Sequence, residues 1–157
     1  MKHVNFLIIF AFCCSQNVFA NSDIVNKKNT IYQVKLAECV ALEKSKSPLT
    51  NKDVQGLSLH VLSKGLFYLK EKRLADCSMK QELDALAEYI ALSTTSEQLT
   101  KAKLSNQFLS VWLVDLIKNY NELTNKEKHT LNMKIKNKSL EINFLELFDA
   151  VEKNVVE

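Results

Sequence analysis

Glycine and proline are nearly absent from this chain: its 157 residues include 2 Gly and 1 Pro. Glycine averages ~7% of ordinary sequences and supplies the positive φ that tight turns and phosphate-wrapping loops require. Chains of tight hairpins and glycine-rich nucleotide cradles are therefore poorly supported. Hydrophobic residues at 46% and charged residues at 25% are an ordinary globular balance, unlike a disordered or low-complexity chain. The length suits one domain with a real core. A net charge of +3, evenly spread, gives no argument for a nucleic-acid partner.

The first twenty residues have their own grammar. Met1-Lys2-His3 opens with weak positive charge, an apolar run follows from Phe6 to Cys14, and Val18-Phe19-Ala20 places small residues at −3 and −1 of a cleavage point. These are the three parts of a secretory signal peptide. The run is about half the ~20 residues that span a bilayer as a helix. An amphipathic first helix would need polar residues between Phe6 and Cys14, where there are none, and a lipid-attachment box fits badly because Phe12 precedes Cys13. The expectation is residues 1–20 as signal peptide, cleavage after Ala20, a single domain over 21–157, periplasmic localisation and no transmembrane segment after cleavage.

Export changes the cysteine arithmetic. Cys13 and Cys14 leave with the signal, and Cys39 and Cys77 remain. Two lone cysteines in a small exported domain usually pair. The alternative, two unrelated buried thiols, suits the cytosol better.

Apolar periodicity gives the rest. Residues 21–28 are polar without a period and read as a loose start. Ile31, Val34, Cys39 and Leu42 form a helical stripe that must stop before Pro48. Thr50 with Asp53 resembles a helix start, followed by one long face from Val54 through Leu69 that carries Gly56 and Gly65. Each glycine costs ~1 kcal/mol against alanine in a helix, so either a close helix approach or a kink is implied. Ser78 with Gln81 reads as a capping box directly after Cys77, opening a third helix with Glu82, Asp84 and Glu88 outward. Residues 97–122 read as a longer helix, apolar nearly all round at its centre and so buried on several sides. Residues 131–144 are ambiguous: period two suggests a short hairpin, while Phe144, Leu147, Phe148 and Val151 favour helices. Helices are the preferred reading, giving an all-α bundle of five or six helices. Leu49-Thr50-Asn51-Lys52 recurs as Leu123-Thr124-Asn125-Lys126. A duplicated helical hairpin and repeated helix-start grammar explain this equally.

No pattern for chemistry emerges. His60 and His129 lie in no zinc spacing, and no catalytic, metal or cofactor residues are assigned. His60 reads as a boundary residue and His129 as solvent-facing. A paired cysteine is not a nucleophile. The acid pairs Glu146/Asp149 and Glu38/Glu43 read as solvated helix faces. The basic runs at 70–73 and 134–138 read as helix ends and turns.

The order from Cys39 to Trp112 resembles a known family. A cysteine in one helix is followed by a glycine-bearing helix, then Cys77-Ser78, then a helix with Gln81, Leu83 and Leu86 ending in Tyr89-Ile90, then a break and another apolar helix. This is similar to the Tai-type immunity proteins of type VI secretion amidases. The resemblance implies a small exported helical protein, not an enzyme, that inhibits a peptidoglycan-cleaving effector by occluding it. The chain departs from the family pattern in lacking a proline after Cys77 and a further cysteine after Trp112. A periplasmic chaperone or envelope adaptor shows a similar Cys–helix–Cys order and is the alternative. Homodimerisation through the glycine-bearing helix fits either reading.

Overall fold

A computed structural model describes the backbone of residues 4–93, 104 and 106–153, with side chains from residue 23 onward. It contains six helices among the described residues: α1 (Val4–Lys44), α2 (Asn51–Val54), α3 (Leu59–Leu92), α4 (Leu109–Asn121), α5 (Asn125–Ile135) and α6 (Phe144–Lys153). Two two-residue strands, β1 (Ser47–Pro48) and β2 (Lys138–Ser139), pair in parallel. The all-α reading holds, and the Cys39–Cys77 disulfide is formed, with the two Cα atoms 6.0 Å apart.

The shortage of helix breakers acts further than expected. Once nucleated, a helix adds residues cheaply, and polar residues do not stop it. Residues 21–28, read as a loose start, are helical within α1. The apolar run and Ala20 lie on α1 outside the described side chains. Ser78 does not start a helix either. It sits inside α3, fully buried, and its hydroxyl donates to the Leu74 carbonyl at 2.9 Å. The same short polar side chain that can cap a helix can also bond back one turn, and burial decides which. The disulfide thus clamps α1 to the middle of α3.

The expected helix from Thr50 through Leu69 is broken in two. Asp53 accepts from the Thr50 amide at 2.9 Å and from its hydroxyl at 2.7 Å, which starts α2. Gln55 then leaves the helical region, and Gly56 adopts φ +82°, which side-chain-bearing residues rarely adopt. Ser58 restarts the chain as α3, its hydroxyl accepting the Val61 N–H at 3.3 Å. Gly65 is the close approach: a Cβ there would lie 2.1 Å from Leu131 Cδ2 on α5.

α3 is the spine, with a core at each end. One centres on Leu62, Leu66, Leu131, Ile135 and Leu140, bringing α2, α5 and α6 onto the first half of α3. The other joins Tyr32 of α1, Ala85 of α3 and Phe108, whose ring stacks on Tyr32 at 5.9 Å. The period-two pattern of 131–144 is no hairpin. It is the end of α5, the β2 bridge to β1, and the start of α6, with Leu131, Ile135, Leu140 and Phe144 all reaching one core. The repeated Leu-Thr-Asn-Lys segments each open a helix at a threonine with an acid three residues on. One helix stops after Val54 and the other runs to Ile135, so what they share is the start.

Candidate functional site

The described part of the helix expected to be buried on several sides is open to solvent. α4 has no buried residue, and Val114 is 52% exposed. Its inner residues Leu113, Leu116 and Tyr120 pack on the α3 core. Part of its outer surface faces a groove along α3. That groove, about 330 Å³, is walled by Met79 and Leu83 of α3 and by Val114 and Ile117 of α4, with Ala75 and Leu113 between them. Met79 and Leu83 are each about half exposed. Its size falls within the range of ordinary ligand clefts. The expected stretch ahead of α4, residues 97–103, lies outside the described residues. From Leu109 on, α4 is apolar on more than one face because it covers a core and lines a groove.

Sequence reasoning placed Glu82 outside; the structure places it inside, 1% exposed, at one end of this groove. The reason lies in how α4 begins. A helix leaves its first amides without partners, and Phe108, at the capping position, has no acceptor to offer. Glu82 takes the Ser110 N–H at 2.6 Å, and the Tyr32 hydroxyl oxygen takes the Leu109 N–H at 3.4 Å. A carboxylate at the positive end of a helix is favoured electrostatically as well. Burial first, then the Glu82 charge, pushes the Tyr32 hydroxyl up to about 12. At the other end, Tyr68 lines the wall and Lys72 pairs with Asp76 at 2.6 Å.

Glu43 is the second acid that the sequence misplaced. It is 4% exposed and accepts from Arg73 Nη1 at 2.7 Å, from the Leu140 amide at 3.1 Å, and from Lys46. Burial pushes this carboxyl up, but the three donors outweigh it and hold it below its ordinary value. Arg73 also donates to the Ile135 and Lys138 carbonyls, at 2.7 and 2.8 Å. The pair joins α1, α3 and the chain entering β2; its role is structural. Glu71, 8% exposed, is pushed up chiefly by burial, with Glu141 adding to it and Lys70 opposing.

The remaining expected residues are quickly placed. His60 and His129 are exposed, as are Glu38, Glu146 and Asp149. The basic runs are committed inside the molecule: Lys70 to Glu141 at 3.2 Å, Lys134 to the Gln55 carbonyl at 2.9 Å, Lys138 to Asp53 at 2.8 Å. They stand in mid-helix and at the β1–β2 bridge as well as at helix ends. Among the described residues no three His, Cys, Asp or Glu side chains are placed to hold a metal ion.

Comparison with known family models, curated proteins and solved structures returns no match. The site therefore rests on geometry. A carbon-lined groove with a carboxylate at one end and an ion pair at the other offers shape and apolar area. Two other depressions carry less. One beside α2 is floored by its polar turn, and one runs along the disulfide past Lys46 and Arg73. The groove's apolar residues were visible in the sequence. That they face solvent was not, because a helix centre rich in apolar residues reads as buried until its neighbours are known.

Proposed function

We propose that this is an exported protein-binding protein of the periplasm, an immunity-type inhibitor that occludes a cell-wall-degrading effector, with the α3–α4 groove as its docking surface. The observation that carries the reading is the groove itself: half-exposed Met79, Leu83 and Val114 on two helices held rigidly side by side. Exposed apolar surface gathered in one place marks an interaction site more often than scattered apolar residues do. The scaffold suits inhibition, since a cross-linked, preorganised surface loses less entropy on binding. The disulfide fits an oxidising compartment. Among the described residues no helix is long and apolar enough to cross a membrane. The signal-peptide grammar of residues 1–20 supplies the route of export.

The same half-exposed carbon supports a second reading, a chaperone or envelope adaptor that holds many weak partners there. Affinity capture separates the two. Oxidised protein is used as bait in envelope extract, alongside a Val114→Arg variant of unchanged circular dichroism. One stoichiometric cell-wall enzyme that resists high salt and is lost with Val114→Arg supports the inhibitor. Many sub-stoichiometric partners support the chaperone. Capture that Val114→Arg leaves untouched removes the groove from the proposal.

A further inference from the structure

The disulfide is covered unevenly. Cys39 of α1 is 3% exposed, whereas Cys77 of α3 is exposed. The phase of α3 accounts for the difference: Cys77 lies between the fully buried Ser78 and the exposed Asp76, where the inner face of the helix turns outward. A depression of about 480 Å³ runs along the bond and is lined by both cysteines. A thiolate breaks a disulfide by attacking one of its sulfurs, and access decides which sulfur that is. Exposed disulfides are the exchangeable ones, while covered disulfides react only after the protein opens.

α1 is attached to the rest of the fold on both sides of this bond. One turn beyond Cys39 on α1 and one turn before Cys77 on α3, Arg73 Nη1 donates to Glu43 at 2.7 Å. In the other direction along α1, the Tyr32 ring stacks on Phe108 with centroids 5.9 Å apart. These attachments keep Cys39 and Cys77 side by side when the bond between them is open. A dithiol held at short range closes again readily, because the two groups need not find each other through a flexible chain. The site is therefore built for entry from one side and for return.

We propose that Cys39–Cys77 is a thiol–disulfide exchange site for low-molecular-weight thiols, entered at Cys77 while the protein stays folded. The attacking thiolate bonds to Cys77 Sγ, the S–S bond breaks, and Cys39 Sγ leaves with the electron pair and takes a proton from water. A second thiolate attacks the sulfur of the first, forms a small-molecule disulfide with it, and releases Cys77 Sγ, which is protonated in turn. Two thiols are oxidised and the protein disulfide is reduced to two thiols. The same steps in reverse, with a small disulfide as oxidant, restore the cross-link.

Reduced glutathione is the probe, acting on the oxidised protein in native buffer and at urea concentrations below the unfolding transition. Samples are quenched with acid and their peptides mapped by mass spectrometry. The expected result is a glutathione adduct on Cys77 roughly tenfold more abundant than on Cys39, with a reduction rate proportional to glutathione and flat across this urea range. Reduction by way of global unfolding would instead climb steeply with urea, because urea raises the unfolded population exponentially. Two single variants, checked by circular dichroism, report the point of entry even where the adduct is short-lived. The Cys77 thiol of Cys39→Ser should react with Ellman's reagent roughly tenfold faster than the Cys39 thiol of Cys77→Ser. Reduction that waits for unfolding, adducts chiefly on Cys39, or equal reactivity of the two thiols overturns the inference.

Discussion

Replacing Glu43 by Gln should cost the fold about 3 kcal/mol. The side chain keeps its shape and loses its charge. Three donors converge on the native carboxylate, and the Arg73–Glu43 and Leu140–Glu43 bonds are 2.7 and 3.1 Å long. A hydrogen bond to a charged group contributes ~1.5–3 kcal/mol net, and breaking a buried ion pair by removing one partner costs ~3–5 kcal/mol. Arg73 is not wholly buried: its side chain is 23% exposed and keeps the Ile135 and Lys138 carbonyls. That places the loss toward the lower end. The assay is urea unfolding at pH 7 with the disulfide intact, followed by far-UV circular dichroism. Arg73→Met should cost a similar amount, and the double variant Glu43→Leu/Arg73→Met should recover most of it, because no lone charge is then left buried. Single variants that each cost under ~1 kcal/mol, or a double variant that costs the sum of the two, would refute the idea that this pair joins the α1–α3 clamp to the β2 segment. Its contribution should also be lost as pH falls, since the folded pKa lies below the unfolded one and stability is present above the latter.

Other consequences can be measured on the same protein. Gly65→Ala should destabilise by about 1 kcal/mol, as overpacking against the fully buried Leu131 outweighs the gain in helix propensity. In a Leu131→Ala background the sign should reverse, because the new methyl then fills space, and no reversal in urea midpoints would reject the close-packing account. Reducing the disulfide should lower stability by about 4 kcal/mol, the closure entropy of a loop with sequence separation 38, with little change in helix content while the protein stays folded. Asp53, held down to about 2 by Lys138 and Thr50, stabilises above its unfolded value of 3.8 and loses that contribution as pH falls toward 2, so Asp53→Asn should flatten the acid limb of a stability–pH curve. Glu71 acts in the opposite sense. Its pKa is raised by burial, so its contribution is greatest below 4.5 and falls as pH rises through the folded value; Glu71→Gln should remove that decline.

How far the sequence could be read differs from residue to residue. The disulfide was legible because setting aside Cys13 and Cys14 of the apolar run leaves a count of two, Cys39 and Cys77, and a count needs no geometry. The Thr50 and Thr124 helix starts were legible because a cap is a local bond. Ser78 carries the same local signal and is not a start, because nothing local records that the chain around it is already helical and buried. The acids show the limit most clearly. Glu38 and Glu43 sit on one helix with similar neighbours, and one is exposed while the other is 4% exposed. What separates them is Arg73, thirty positions away, and the amide of Leu140.

The amino-acid sequence by itself determined the class of this protein. Few glycines and prolines, periodic apolar residues and the pair Cys39 and Cys77 point to long helices and one cross-link. The candidate site was decided only in three dimensions. α4 begins at a residue that cannot cap it, so Glu82 of α3 and Tyr32 of α1 supply the acceptors, and that requirement draws an acid into the interior. With α4 held there, Val114 and Ile117 come to face Met79 and Leu83 across open space. Periodicity can say that a residue is apolar and on which face of its own helix it lies. Whether another helix covers that face depends on packing between segments distant in the chain, and a local pattern has no access to it.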